Sequence, residues 1–409
     1  MFKFNFNVED AEQLEFLPDG DISSAQESQA GQAQSGMPSE RVVSVNELAI
    51  EELLSALPPA ISFSPLTVPL TSSSRHSATI ARRDLFDARF QLISLEDTED
   101  PSIIAPETGT SAQAQKDLEF LDAPSDLVPG VYEGGLKTWE CAVDLADCLD
   151  RLLGGESAAR IRGKRVLELG CGTAVPSLFL LHQLFTSELP EQMGSQASEV
   201  HVHLQDYNAL VLRLVTLPNI LLAWYMSPAS LALRTSADAD VEADAEPLPP
   251  ADPTTPGTLP ITPELTAAFL AALRAYGVRL RFFAGAWEGF ELPHAYDVVL
   301  TSETIYRPDS LPALVHTMRS ACLGVGLSST ADGNHGEKQA ADGLARLELG
   351  EGHAPVFPLC LVAAKRVYFG VGGGVTEFVR AVEGKHGGVE TVWERADGVK
   401  RVVLRVRWS

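Results

Sequence analysis

The sequence predicts an α/β fold around a doubly wound, mostly parallel sheet, and three observations lead there. From about residue 126 onward, apolar runs of strand length alternate with stretches of helical period. One run, RVLEL at 165–169, ends in Gly170-Cys171-Gly172 and gives way at once to an apolar, helix-forming stretch. The next run, 200–204, leads into Asp206, an acid at a strand's carboxyl tip, where open α/β sheets bind their ligands.

The elements follow in chain order. Residues 1–80, rich in Ser, Gln, Glu, Ala and Pro, read as a mostly disordered acidic region with one helix over 44–56. The domain itself is expected over 81–409. RRDLFDARFQLISLE, starting at Arg82, alternates like a strand or strand pair at its edge. Residues 137–153 set Trp139, Val143, Ala146, Leu149 and Leu153 close to one helical face. A strand over 164–169 and a helix over 175–185 come next, then a strand over 200–204 and a helix over 209–225. A helix over 264–276 leads into a strand over 278–283. Beyond it, 297–300 is a strand, 311–323 a helix, 357–364 a strand and 375–382 a helix. The tail, 389–394 and 399–408, reads as a closing strand pair, with Lys400, Arg401, Arg405 and Arg407 alternating outward on an edge strand. Three stretches, 186–199, 227–260 and 324–353, break the alternation. Their Ala, Asp, Gly, Pro and Ser content marks inserted surface loops.

Composition narrows the function. A chain of 409 residues with 45% hydrophobic content can bury a sizeable core. Its formal net charge of −24 repels phosphate backbones, so direct nucleic-acid binding is not expected, whereas a basic protein partner suits it. Five cysteines without a C-x-x-C pair read as reduced thiols. No basic stretch followed by an apolar one opens the chain, and its most apolar segment, 209–225, is interrupted by Arg213 and Pro218. A soluble protein of the cytoplasm and nucleus, without membrane association, is expected. His201 and His203 share a strand face, but no third ligand stands at useful spacing, so no metal is expected.

The glycine turn at 170–172 lets backbone approach a ligand, and the helix beyond it offers unpaired N–H groups. A G-x-G turn on its own serves structure as readily as binding. Two features separate an adenosyl methyl donor from a dinucleotide. Val175 stands where the third glycine of G-x-G-x-x-G falls. Glu168 puts a carboxylate where a pyrophosphate is unwelcome but a sulfonium or amino group is not. Asp206 suits both hydroxyls of a ribose; its other reading is a cap for the following helix.

These residues sit within longer motifs that resemble one family. VYEGGLKTWECAVDL at 131–145, VLELGCGTAVPS at 166–177, QDYN at 205–208, LTSETIY at 300–306 and KRVYFGVGGG at 365–374 follow in order. Together they are similar to the histidine protein methyltransferases, a branch of the seven-stranded, Rossmann-like class I methyltransferases. The likeness runs from about residue 84 to the C-terminus, and GLKTWEC, TSETIY and YFGVGGG are its most specific parts. It implies S-adenosyl-L-methionine as methyl donor and a histidine in a protein as acceptor, in known members a large-subunit ribosomal protein. It also implies site roles. Thr138, Trp139, Glu140 and Cys141 flank the methionine end of the donor. Glu168, Gly170, Cys171 and Gly172 line its amino acid and ribose, and Asp206, Tyr207 and Asn208 hold ribose and adenine. Gly285, Ala286 and Trp287 border the adenine, and Ser302 sits beneath. Many relatives carry Asp where Ala286 stands, which removes one acidic partner for the adenine amino group.

Neutral imidazole is a competent nucleophile near pH 7, so the main task is to align nitrogen, methyl and sulfur. The reacting nitrogen depends on the tautomer the pocket holds. Glu303 and Tyr306, placed by the TSETIY motif after a strand, are expected to orient that ring. The glycines at 370–374 read as a loop over the acceptor entrance or as a plain turn. A lysine-directed methyltransferase of the same fold and a non-catalytic adenosyl-binding protein are the competing readings, since a fold does not choose its acceptor.

Overall fold

The computed structural model describes residues 44–71, 76–96, 135–189, 199–239, 248–324, 356–368 and 372–409. Its centre is an eight-stranded sheet. Five strands run parallel in the spatial order β7 (Val278–Ala284), β5 (Val200–Asp206), β4 (Arg165–Leu169), β8 (Val298–Ser302) and β9 (Leu359–Lys365). β11 (Arg401–Trp408) pairs antiparallel to β9, and β10 (Gly387–Arg395) lies antiparallel outside it. These are the seven expected strands, with the switch of strand order between β4 and β8, where such sheets open a crevice. An eighth strand, β1 (Asn46–Leu48), adds antiparallel to β7.

The central strands are apolar along their length because each is buried on both faces: Val166, Leu167 and Leu169 of β4 and Val298, Val299 and Leu300 of β8 are all enclosed. Between strands run α3 (Glu140–Leu152), α4 (Ser157–Ile161), α5 (Val175–Thr186), α6 (Ala209–Tyr225), α7 (Leu231–Ala239), α8 (Pro263–Tyr276), α9 (Leu311–Leu323) and α10 (Val375–Glu383). Phe179 and Phe185 of α5, Trp224 and Tyr225 of α6 and Phe269 of α8 fill one core cluster. α6 contains a π-helical turn, Leu212–Thr216. No single helix among the described residues is long and apolar enough to cross a membrane.

Five expectations change. The segment before residue 80 is folded from Ser44 on, wherever it is described. β1, α1 (Ile50–Ser55), β2 (Ala60–Pro69) and β3 (Ser77–Arg83) lie there. Composition misled because the strand partners are remote: β1 pairs with β7, and β2 with β6 (Gly257–Pro260). A strand therefore opens the stretch read as one helix over 44–56, and the insertion at 227–260 supplies both α7 and β6. The stretch read as a strand pair after Arg82 is mostly helix α2 (Leu85–Glu96), because Arg83 reaches Asp87 and Gln91 at helical rather than alternating spacing. β11 is not an edge strand. It lies between β9 and β10, so Arg401 and Arg405 are buried, Arg401 on Asp144 and Arg405 on the carbonyl of Val356. Most of the loops read at 186–199 and 324–353 lies outside the described residues.

Candidate active site

The glycine turn after β4 and the tip of β5 meet in one corner. Gly172 has φ +52°, and a Cβ there would press on the Gly135 carbonyl oxygen at 3.1 Å, so both geometry and space call for glycine. The Gly172 N–H donates to Asp206 Oδ2 (2.9 Å) and the Asn208 N–H to Oδ1 (3.1 Å). Asn208, not Asp206, caps α6: its side-chain oxygen accepts from the Leu210 N–H. Burial pushes the Asp206 carboxyl up to about 6, against the pull of its backbone donors.

Beneath the turn, Thr216 donates to the Gly172 carbonyl (2.6 Å) and Asn219 to that of Thr173 (3.1 Å). Thr216 belongs to the π-helical turn, so that irregularity positions a support for the loop. Glu168 is enclosed, 2% exposed, and accepts from both the N–H and the hydroxyl of Ser177 in the first turn of α5. Burial, with the nearby charge of Asp206, pushes Glu168 up to about 8 even though Ser177 pulls the other way. Glu168 thus ties the turn to the helix that follows. Cys171 is likewise buried, with its sulfur beside the Thr216 hydroxyl.

Gln205, given no role of its own within QDYN, links this corner to the end of β7. Its Oε1 accepts from the Gly170 N–H (3.2 Å) and the Trp287 indole (2.8 Å), and its Nε2 donates to the Gly285 carbonyl (2.7 Å). Gly285, Ala286 and Trp287 are therefore brought to the same end as Asp206, whose carbonyl accepts from the Gly285 N–H. Ala286 is buried; Tyr207 is 48% exposed at the rim. Thr138 donates to the Thr173 hydroxyl (3.0 Å), which joins the segment before α3 to the glycine turn.

A second corner forms at the tip of β8. Glu303 follows Ser302 with φ +57°, a left-handed conformation uncommon outside glycine, and its N–H is anchored on the Ala363 carbonyl. Its Oε2 accepts from the Tyr368 hydroxyl at 2.6 Å, and Lys365 Nζ lies 3.6 Å from Oε1. That ammonium also sits 4.4 Å from the centroid of Trp139. Cys141 faces the same carboxylate: burial first, then the charge of Glu303, pushes its thiol up. Tyr306 is buried beside Tyr368, with ring centroids 6.3 Å apart, and burial together with the charge of Asp206 raises its hydroxyl. Gly373 lies against the Tyr306 carbonyl so closely that no side chain fits, which lays the described part of the glycine run on the 305–306 backbone.

Three motif segments far apart in sequence thus meet at Glu303. Lys365 and Tyr368 have no role in the sequence reading; their only signal is their place in KRVYFGVGGG. Glu140 is exposed at the start of α3. Ser302 Oγ and Glu303 Oε1 are buried yet have no hydrogen-bond partner among the described residues. His203 takes no part: its Nδ1 meets the Tyr296 hydroxyl at 2.7 Å, and burial pushes it down to about 3. Among the described residues no three His, Cys, Asp or Glu side chains gather as a metal site.

An adenosyl methyl donor fits these residues by their chemistry. A carboxylate at a strand tip matches a ribose diol, and the orphaned Ser302 Oγ at the end of β8 is a buried polar atom that a ligand can satisfy. Comparison with known proteins agrees. No family model matches the chain. Histidine protein methyltransferase 1 of Schizosaccharomyces pombe is 30% identical over 308 residues, covering 73% of this chain and 68% of that protein. Its namesake in Saccharomyces cerevisiae is 30% identical over 334 residues, covering 78% and 73%. A solved structure of the Synechocystis magnesium protoporphyrin IX methyltransferase with bound SAM overlaps at a TM-score of 0.31 and 11% identity, over 66% of this chain and 79% of that one. That overlap is too loose to add to the sheet order. The two yeast relatives carry the conclusion: this chain belongs to the histidine protein methyltransferase family and is an S-adenosylmethionine-dependent methyltransferase.

Proposed function

We propose that the protein methylates a histidine side chain of a basic protein, with a large-subunit ribosomal protein as the substrate and the cytoplasm and nucleus as the place of work. The observation that carries this reading is the buried Glu303 Oε1, which accepts no hydrogen bond and has the Lys365 ammonium 3.6 Å away. It is an acceptor in want of one N–H, and a neutral imidazole has one to give while its other nitrogen keeps a lone pair. A lysine amine has no ring to be held this way. The acidic chain, at −24, favours encounter with a basic partner.

The donor supplies an electrophilic methyl on a sulfonium. Asp206, Tyr207 and Asn208 would hold its ribose and adenine, with Gly285, Ala286 and Trp287 along the base. Gly170, Cys171 and Gly172 would border its amino acid, with Thr138, Trp139, Glu140 and Cys141 along the methionine end and Ser302 below. Glu168 supports the turn from within. Glu303 would take the hydrogen bond of the ring N–H and strengthen it as the ring becomes cationic, while Tyr306 walls the ring's position.

Incubation of the purified chain with radiolabelled S-adenosylmethionine and ribosomal protein extract, followed by amino acid analysis, tests the acceptor. Labelled methylhistidine is expected. Labelled methyllysine would keep fold and donor and overturn the acceptor; absence of label with the donor bound would overturn this substrate class.

A further inference from the structure

We infer that Tyr368 and Lys365 are positioning residues that fix which nitrogen of the acceptor ring is methylated, through their hold on Glu303. The inference rests on the histidine reading above and adds regiospecificity to it.

The hold is directional. The Tyr368 hydroxyl oxygen accepts from the Lys365 backbone N–H at 3.3 Å, so its single proton is left for Glu303 Oε2, at 2.6 Å. That oxygen is thereby committed. The other, Oε1, belongs to a side chain only 8% exposed and carries no hydrogen bond. A buried acceptor left unmade is costly, so the arrangement reserves Oε1 for a donor that arrives from outside. Lys365 Nζ, 3.6 Å from Oε1, is beyond hydrogen-bond length. It balances the carboxylate electrostatically, and the Trp139 ring below it keeps it in place.

The backbone adds to this rigidity. Glu303 is in the left-handed region, pinned by its N–H on Ala363, and Lys365 ends the neighbouring strand β9. The carboxylate therefore has one free oxygen in one direction. A ring whose N–H binds there presents only its other nitrogen for transfer, and the tautomer is chosen by the protein rather than by the ring's own equilibrium. Were the Tyr368 bond absent, Oε2 would be open as well, in a second direction, and a ring could be held in either of two placements that present different nitrogens.

The test is the isomer composition of the methylhistidine formed on ribosomal protein extract by the full chain and its Tyr368→Phe and Lys365→Met variants, with donor Kd measured beside it. The wild-type chain is expected to give one isomer. Tyr368→Phe is expected to give both, with kcat/KM about tenfold lower and donor Kd within twofold, as for loss of one hydrogen bond to a charged group. Lys365→Met is expected to shift the isomer ratio in the same sense, and Lys365→Arg to restore one isomer. If Tyr368→Phe no longer binds the donor, Lys365→Met decides. One isomer at a rate within twofold of wild type from the binding-competent variants overturns the positioning role alone. Methyllysine from the wild-type chain overturns the histidine reading beneath it.

Discussion

Asp206 and Glu303 sit at the tips of two strands, β5 and β8, and both carry enclosed side chains, but they are completed in opposite ways. Asp206 is satisfied locally: Gly172 and Asn208 donate to its two oxygens from the turns on either side. Glu303 is built from afar, with Tyr368 on one oxygen, Lys365 near the other and Cys141 against it. One corner is set by backbone donors from neighbouring turns, and the other by side chains from distant segments that leave one oxygen without a hydrogen bond. The contrast separates two tasks. Holding a common donor calls for a rigid cradle shared across the fold, whereas choosing an acceptor calls for a group whose last partner is the substrate.

The contrast breaks first, and furthest, at Asp206. Asp206→Ala should weaken donor binding about 100-fold, since two hydroxyl hydrogen bonds to a carboxylate are lost together. The wild-type affinity should itself depend on pH. In the proposed role the Asp206 carboxyl, pushed up to about 6 by burial, would accept both hydroxyls only when ionised. Donor Kd should therefore rise about tenfold as pH falls from 7 to 5. Calorimetry across that range checks both statements, and an Asp206→Ala variant that keeps the wild-type pH slope would assign the titration to another group.

A smaller effect sharpens the account of the cradle. Glu168 is pushed up to about 8, well above its ordinary 4.5, so the folded chain keeps a proton there that the unfolded chain releases. This contribution to stability is present in full below about 4.5 and is lost as pH rises through about 8. Glu168→Gln cannot ionise, so its melting temperature relative to wild type should climb by at least about 2 °C between pH 5 and pH 8. A difference that is flat with pH would place the buried charge elsewhere.

The donor corner was legible because its pieces are consecutive: a strand, a glycine turn and a helix over 165–186, then an acid at the next strand tip. Even there Gln205 went unread, since its three bonds join Gly170, Gly285 and Trp287, which share no local pattern. TSETIY pointed to Glu303, but its partner Tyr368 lies 65 residues on and no periodicity connects them. The apolar spacing over 137–153 says nothing of where its carboxylates go. In the fold Asp144 is closed over by Arg401, and Asp147 by Thr71 and Trp393. The strands from Asn46 to Arg83 were hidden for the same reason, because a Ser-rich segment becomes strand only where β6 and β7 offer edges.

The central claim, that Glu303 acts on the acceptor and not on the donor, is tested most directly by single-turnover methylation with Glu303→Gln at saturating donor. The account predicts a rate about 100-fold below wild type, within the range of a lost positioning or proton-handling group, with donor Kd unchanged within twofold. A rate within twofold of wild type, or a loss that follows weakened donor binding, would contradict it.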